Sequence, residues 1–158
     1  MQRTVCLDTN IVLWGILGEG KAQDGFKQDC AQYLIQMLEN EKVRVVIPTL
    51  VLSEATARME EDDKHEFIKR LCEQVEIIPY CTKSALEYST IRRIGMKRKN
   101  KDFTRKEIIV DSMIVSCCKA NGVHQLYTDD SNLKSLASQF MEAPDLPFPP
   151  PEQLTLLT

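Results

Sequence analysis

Four short apolar runs set the frame of this chain: T-V-C-L at residues 4–7, V-R-V-V-I at 43–47, V-E-I-I at 75–78 and H-Q-L-Y-T at 124–128. Each reads as a buried strand, and each ends at a Pro, an Asp or a polar turn residue. Between them lie longer stretches with apolar residues at helical spacing. Phe26, Cys30, Tyr33, Leu34, Met37 and Leu38 are the clearest set. Further helices are expected over residues 50–59 with Thr49 as N-cap, over 62–73 and over 82–96. Thr104 and Glu107 have capping-box spacing and open a helix that Asn121–Gly122 ends at residue 120. A last helix starts at Asp130 or Ser131 and reaches about 139. Strands alternating with helices predict a parallel sheet covered on both faces, an α/β/α layer sandwich. In such sheets, sites form beyond the carboxyl ends of the strands.

Five of the seven prolines fall within residues 144–151. The expected organisation is therefore one domain over 1–142 and a proline-rich tail over 143–158. At 158 residues the chain is long enough for one sizeable core. No stretch approaches the roughly 20 apolar residues a membrane helix needs, so no membrane association is expected. Asp8 and Asn10 stand just before the first apolar run, which argues against a secretory signal. The six cysteines are irregularly spaced, with no C-x-x-C pair, and read as reduced, mostly buried thiols in a cytoplasmic protein. With only two histidines, His65 and His124, a zinc site is poorly supplied. Both histidines read as structural or surface residues. The chain has no P-loop, no G-x-G-x-x-G and no G-x-S-x-G elbow.

The acids are where the chemistry lies. Asp8 follows the first strand directly; alone it would read as a helix N-cap. Glu54 sits in L-V-L-S-E-A, too far along to box with Thr49, and alone would read as a carboxylate on a solvated stripe. Asp111 is the strongest anomaly. Its helix runs I-I-V-D-S-M-I-V-S-C-C and is apolar nearly all round. An unpaired carboxylate there costs several kcal/mol and needs a partner, either a buried base or a cation. Asp129 and Asp130 follow the fourth strand, and one of them can cap the next helix. Bringing these acids together requires an opposite charge. All are hard oxygen donors, so Mg²⁺ or Mn²⁺, as one ion or two, is the natural match. Such an ion orients a phosphodiester and lowers the pKa of bound water.

The four blocks V-C-L-D-T-N, I-P-T-L-V-L-S-E-A, I-I-V-D-S-M-I-V-S-C-C-K-A-N-G and L-Y-T-D-D-S-N-L, in this order over residues 4–140, resemble PIN-domain ribonucleases. Within them the chain looks like VapC-type toxins of toxin–antitoxin pairs. The resemblance implies a strand order of 3-2-1-4-5 and Mg²⁺- or Mn²⁺-dependent cleavage of RNA. It implies metal-binding or positioning roles for Asp8, Glu54 and Asp111. The fourth block usually reads T-x-D, which places its acid on Asp130, with Asp129 the second choice. Asn10 and Thr128 match polar positions near the metal. An antitoxin partner and a homodimer are implied too. The chain departs from the family at Leu133, where Phe is common, and at Ser116, Cys117 and Cys118, which replace smaller residues. No fifth strand is legible among the prolines.

The net charge of -3 hides a split. Arg92, Arg93, Lys97, Arg98, Lys99, Lys101, Arg105 and Lys106 stand against Asp102 alone, +7 over residues 92–106; the remainder, 12 basic against 22 acidic, is -10. The segment leads into the helix of Asp111 and reads either as a solvated helix face or as a rim for RNA phosphates. Phe103 is the only stacking candidate beside it. The leading expectation is a metal-dependent endoribonuclease with an antitoxin. The alternatives are a PIN nuclease of RNA processing or DNA cleavage, and a PIN-like module that binds RNA or protein without cutting. An aspartate-nucleophile phosphatase is disfavoured, because D-T-N lacks the second Asp of D-x-D-x-T.

Overall fold

A computed structural model describes residues 2–57, 59–97 and 104–154. Four parallel strands form the sheet: β1 (Thr4–Leu7), β2 (Arg44–Pro48), β3 (Glu76–Ile78) and β4 (Gln125–Tyr127), in the order 3-2-1-4. β1 is central. Val5 pairs with Val45 on one side and Gln125 on the other. All four residues of β1 are buried, as its unbroken apolar run predicts for a strand covered on both faces.

The order corrects the expected 3-2-1-4-5 in its last member. Among the described residues the fifth strand is reduced to a single parallel bridge between Gln125 and Glu142. Leu126 N–H donates to the Glu142 carbonyl at 2.9 Å and Glu142 N–H to the His124 carbonyl at 3.1 Å. Pro144 follows two residues on, and each later proline removes a donor from any longer ladder.

Helices fill the connections: α1 (Thr9–Gly15) and α2 (Gly25–Asn40) after β1, then α3 (Thr49–Thr56) and α4 (Glu61–Cys72) after β2. α5 (Thr82–Lys97) and α6 (Arg105–Ala120) follow β3, and α7 (Ser131–Ala137) follows β4. Residues 143–150 carry no regular structure, and a short α8 (Pro151–Leu154) comes after them. Thr49 is the first residue of α3, whose N-cap is Pro48, not Thr49 as expected. β2 runs through Pro48, so no position is left for Thr49 to stand outside the helix.

The chain travels from β1 to β3 in one direction and then returns to the far side of β1 for β4. The order reverses at β1, so the carboxyl ends of β1 and β4 are where a sheet of this kind binds its ligands. Asp8 and the Thr128–Asp130 turn sit there. α6 brings Asp111 to the same end. Its start is fixed by the expected box: Thr104 N–H donates to Glu107 Oε2 at 2.8 Å and Glu107 N–H to Thr104 Oγ1 at 3.2 Å. Ile108, Ile114, Val115, Cys117 and Cys118 are buried along it. Each large side chain contributes about 1.5–3 kcal/mol by leaving water, enough together to carry one carboxylate into the interior. Close approach of α5 needs Gly95, where a Cβ would stand 3.1 Å from Ile108 Cγ2.

Candidate functional site

Asp8 and Asp111 are both buried, at 7% and 8% exposure. Asp8 is tied to β4 through backbone and side chain. Its N–H donates to the Tyr127 carbonyl at 3.0 Å, and its Oδ2 accepts from Thr128 Oγ1 at 2.7 Å. Thr128 Oγ1 accepts in turn from Asp130 N–H at 3.0 Å. The hydroxyl thus links the ends of β1 and β4, which supports the placing of Thr128 beside the acids. Asp8 stands at the N-cap position of α1, but its side chain makes no cap hydrogen bond. The ordinary cap reading of Asp8 fails here.

Among the described residues Asp111 has no basic partner, and its buried Oδ2 accepts no hydrogen bond. Burial pushes its pKa up to about 7, and the charges of Asp130, Asp8, Glu107 and Glu54 add to the rise. Asp8 is pushed up to about 6, again chiefly by burial. The Thr128 hydroxyl and the Thr9 N–H act against that rise, and Glu54 and Asp130 add to it. Glu54 and Asp130 thus act on both buried acids, and Asp8 acts on Asp111. Asp129 is not among the leading influences on either buried acid.

The outer two acids have local partners. Glu54 is exposed on α3 and its Oε2 accepts from Thr9 Oγ1 at 2.6 Å. Asp130 caps α7, its Oδ1 accepting from Asn132 N–H at 2.7 Å and Leu133 N–H at 3.1 Å. Asp129 points elsewhere, to Lys27 Nζ at 2.7 Å. Asn10 is exposed, and among the described residues no hydrogen bond ties it to the acids. Thr9, not singled out in the sequence, is the neighbour of Asp8 that reaches a second acid. Its position directly after Asp8 was the available signal. Glu107 was read only as a cap and also adds its charge to the field on Asp111.

Among the described residues no three His, Cys, Asp or Glu side chains form a ready ligand group. The chemistry of the set nevertheless fits a hard divalent cation. Its donors are carboxylate oxygens, one buried oxygen is orphaned, and two pKa values are raised for want of positive charge. A cation beside Asp8 and Asp111 would satisfy all three.

Of the basic segment, Arg98, Lys99 and Lys101 lie outside the described residues, as does Phe103. Arg93 and Lys97 are exposed near the end of α5, and Arg105 and Lys106 at the start of α6. Arg92 is half-buried, and its Nε is buried without a partner. Among the described residues no carboxylate pairs with any of these five. Ser89, Arg92, Arg93, Met96 and Lys97 line an open cavity of about 430 Å³. The histidines play no part in the site: His65 is exposed on α4, and His124 Nδ1 accepts from Thr4 N–H at 3.1 Å. No helix among the described residues is long and apolar enough to cross a membrane.

The PIN domain profile matches residues 5–139. No curated protein sequence matches the chain. Solved structures do. VapBC2 from Rickettsia felis, bound to a DNA fragment from its promoter, aligns with a TM-score of 0.66 at 16% identity, over 90% of this chain and 98% of that one. DNA-bound VapBC from Salmonella typhimurium aligns at 0.62 and 15% identity, over 93% and 100%. VapBC-1 from nontypeable Haemophilus influenzae aligns at 0.62 and 17%, over 90% and 98%. At these identities the likeness is one of fold.

Proposed function

The chain belongs to the PIN domain family, and on that premise we propose that it is a Mg²⁺- or Mn²⁺-dependent endoribonuclease, the toxin of a toxin–antitoxin pair. The observation that carries the reading is Asp111: a buried carboxylate with an orphaned oxygen, acted on by four other acids and, among the described residues, by no base. A core has no use for that arrangement, whereas a cation site does.

In this reading Asp8 and Asp111 hold the ion, with Glu54 and Asp130 at its rim. When bound, the ion offsets charge at the scissile phosphate and acidifies water. The chain's own residues do the rest. Thr128 fixes the Asp8 carboxylate through its hydroxyl, and Thr9 holds Glu54. Arg92, Arg93, Lys97, Arg105 and Lys106 hold the phosphate backbone that the acids would otherwise repel. The similarity to VapBC structures supports an antitoxin partner, and the family resemblance supports a homodimer.

Asp8→Asn should lower cleavage of single-stranded RNA by about a thousandfold or more while leaving the circular dichroism spectrum unchanged. EDTA should stop the wild type, and Mg²⁺ or Mn²⁺ should restore it. An Asp8→Asn protein that cuts at the wild-type rate would sink the reading. A panel including DNA separates ribonuclease from deoxyribonuclease. Absence of saturable Mn²⁺ binding would favour a non-cutting module.

A further inference from the structure

Single exposed apolar side chains are ordinary, whereas exposed apolar side chains that meet form a surface with a use. Among the described residues, Phe26, Leu86 and Phe148 are the large apolar side chains that are exposed, at 54%, 76% and 72%. Leu86 is a single side chain on α5. The two aromatics come from opposite ends of the sequence and meet. Their ring centroids are 5.5 Å apart and the planes are tilted by 31°. Phe26 lies in the first turn of α2, and Phe148 lies in the irregular segment 143–150.

The pair is linked to the acids through Lys27. Lys27, the next residue after Phe26, holds Asp129 Oδ2 at 2.7 Å and lies 5.7 Å over the Trp14 ring. Asp129 immediately precedes Asp130. From Phe26 to Asp130 the path is therefore two peptide bonds and one ion pair.

We propose that Phe26 and Phe148 form a stacking platform for a base of single-stranded RNA whose backbone crosses the acidic site. The proposal rests on the nuclease reading above. The surroundings favour a base over a phosphate. Lys27, the cation next to Phe26, is already paired with Asp129 at 2.7 Å, and Asp24 also acts on it, so its charge is not offered to a phosphate. A π-face binds a base without charge, and every base has one. A duplex buries those faces in its own stack, so the strand must be single. Phe103, the stacker expected from sequence, is not needed for this surface.

The test uses full-length Asp8→Asn protein and a labelled single-stranded oligoribonucleotide. Phe26→Ala and Phe148→Ala should each weaken binding about 5- to 100-fold. Phe148→Tyr, which keeps the ring, should bind within about twofold of its parent. Phe148→Leu, which keeps apolar bulk without a flat face, should lose as much as Phe148→Ala. The loss should be the same at about 50 mM and about 200 mM salt, because stacking is unscreened, whereas the loss in Arg93→Ala should shrink with salt. A duplex of the same sequence should not sense the substitutions. Ala variants that bind the single strand like their parent overturn the platform and leave the nuclease reading standing. Equal losses on single strand and duplex also overturn it, as does loss confined to a protein partner. A wild-type protein that neither binds nor cuts any single strand overturns both.

Discussion

The site holds two kinds of carboxylate. The inner pair, Asp8 and Asp111, is buried and raised in pKa, and one Asp111 oxygen has no hydrogen-bond partner among the described residues. The outer pair, Glu54 and Asp130, is exposed and served by donors close at hand, the Thr9 hydroxyl and the first N–H groups of α7. The outer acids would be tolerated on any protein. The inner acids are tolerated only because β1 and α6 bury enough apolar surface to hold them there. The inner pair is thus the part that calls for a ligand, and the outer pair supplies charge around it.

The largest expected effect separates the pairs by setting activity against stability. Asp111→Asn should lower RNA cleavage by about a thousandfold or more, yet stabilise the metal-free protein by about 1–3 kcal/mol at pH 8, because a buried unpaired charge is removed. The new amide has Asp8 and Asp130 nearby as acceptors. Asp130→Asn should leave stability nearly unchanged, since Asn caps a helix as well as Asp does. Urea unfolding of both variants in EDTA measures this. Equal stability changes would erase the distinction between the pairs.

A smaller effect should appear with pH. Asp8 and Asp111 are raised from 3.8 to about 6 and about 7 in the folded chain. The folded state then binds more protons than the unfolded state between these values. Stability contributed by the two groups is complete below about pH 4 and is lost as pH rises through 6 and 7, on the order of a few kcal/mol in all. Metal-free protein should therefore melt lower at pH 8 than at pH 5.5. Mg²⁺ or Mn²⁺ should reverse the trend, because a cation prefers the ionised acids. A melting temperature flat across this range in EDTA would mean that the inner pair is not strained.

Much of this was legible in the sequence because it depends on local pattern. β1 was bounded correctly by its unbroken apolar run, and α6 by the Thr104–Glu107 box. Asp111 announced itself by standing in an apolar helix. What depended on distant contacts was not legible. Nothing near Glu54 in sequence shows that Thr9 holds it, and nothing near Phe148 shows that it meets Phe26. The closing strand was expected from family resemblance, and the prolines after Glu142 cut it to one bridge. Thr49 had the right residue type for an N-cap but lay one position inside the helix.

The finest distinction lies between two adjacent acids that composition cannot tell apart. Asp129 and Asp130 follow the same strand, but the turn sends them to different partners. Asp129 pairs with Lys27 on the surface, where both side chains are partly solvated and such a pair contributes about 0.2–1 kcal/mol, less at high salt. Asp130 caps α7, a role worth about 1 kcal/mol, and its charge bears on both buried acids. Asp129→Ala should therefore lower stability by about 0.5 kcal/mol and change cleavage by less than about threefold. Asp130→Ala should lower stability by about 1 kcal/mol and cleavage by tenfold or more. Side-by-side denaturation and initial rates on one RNA would decide the assignment. A dead Asp129→Ala protein beside an active Asp130→Ala protein would move the fourth acid by one residue.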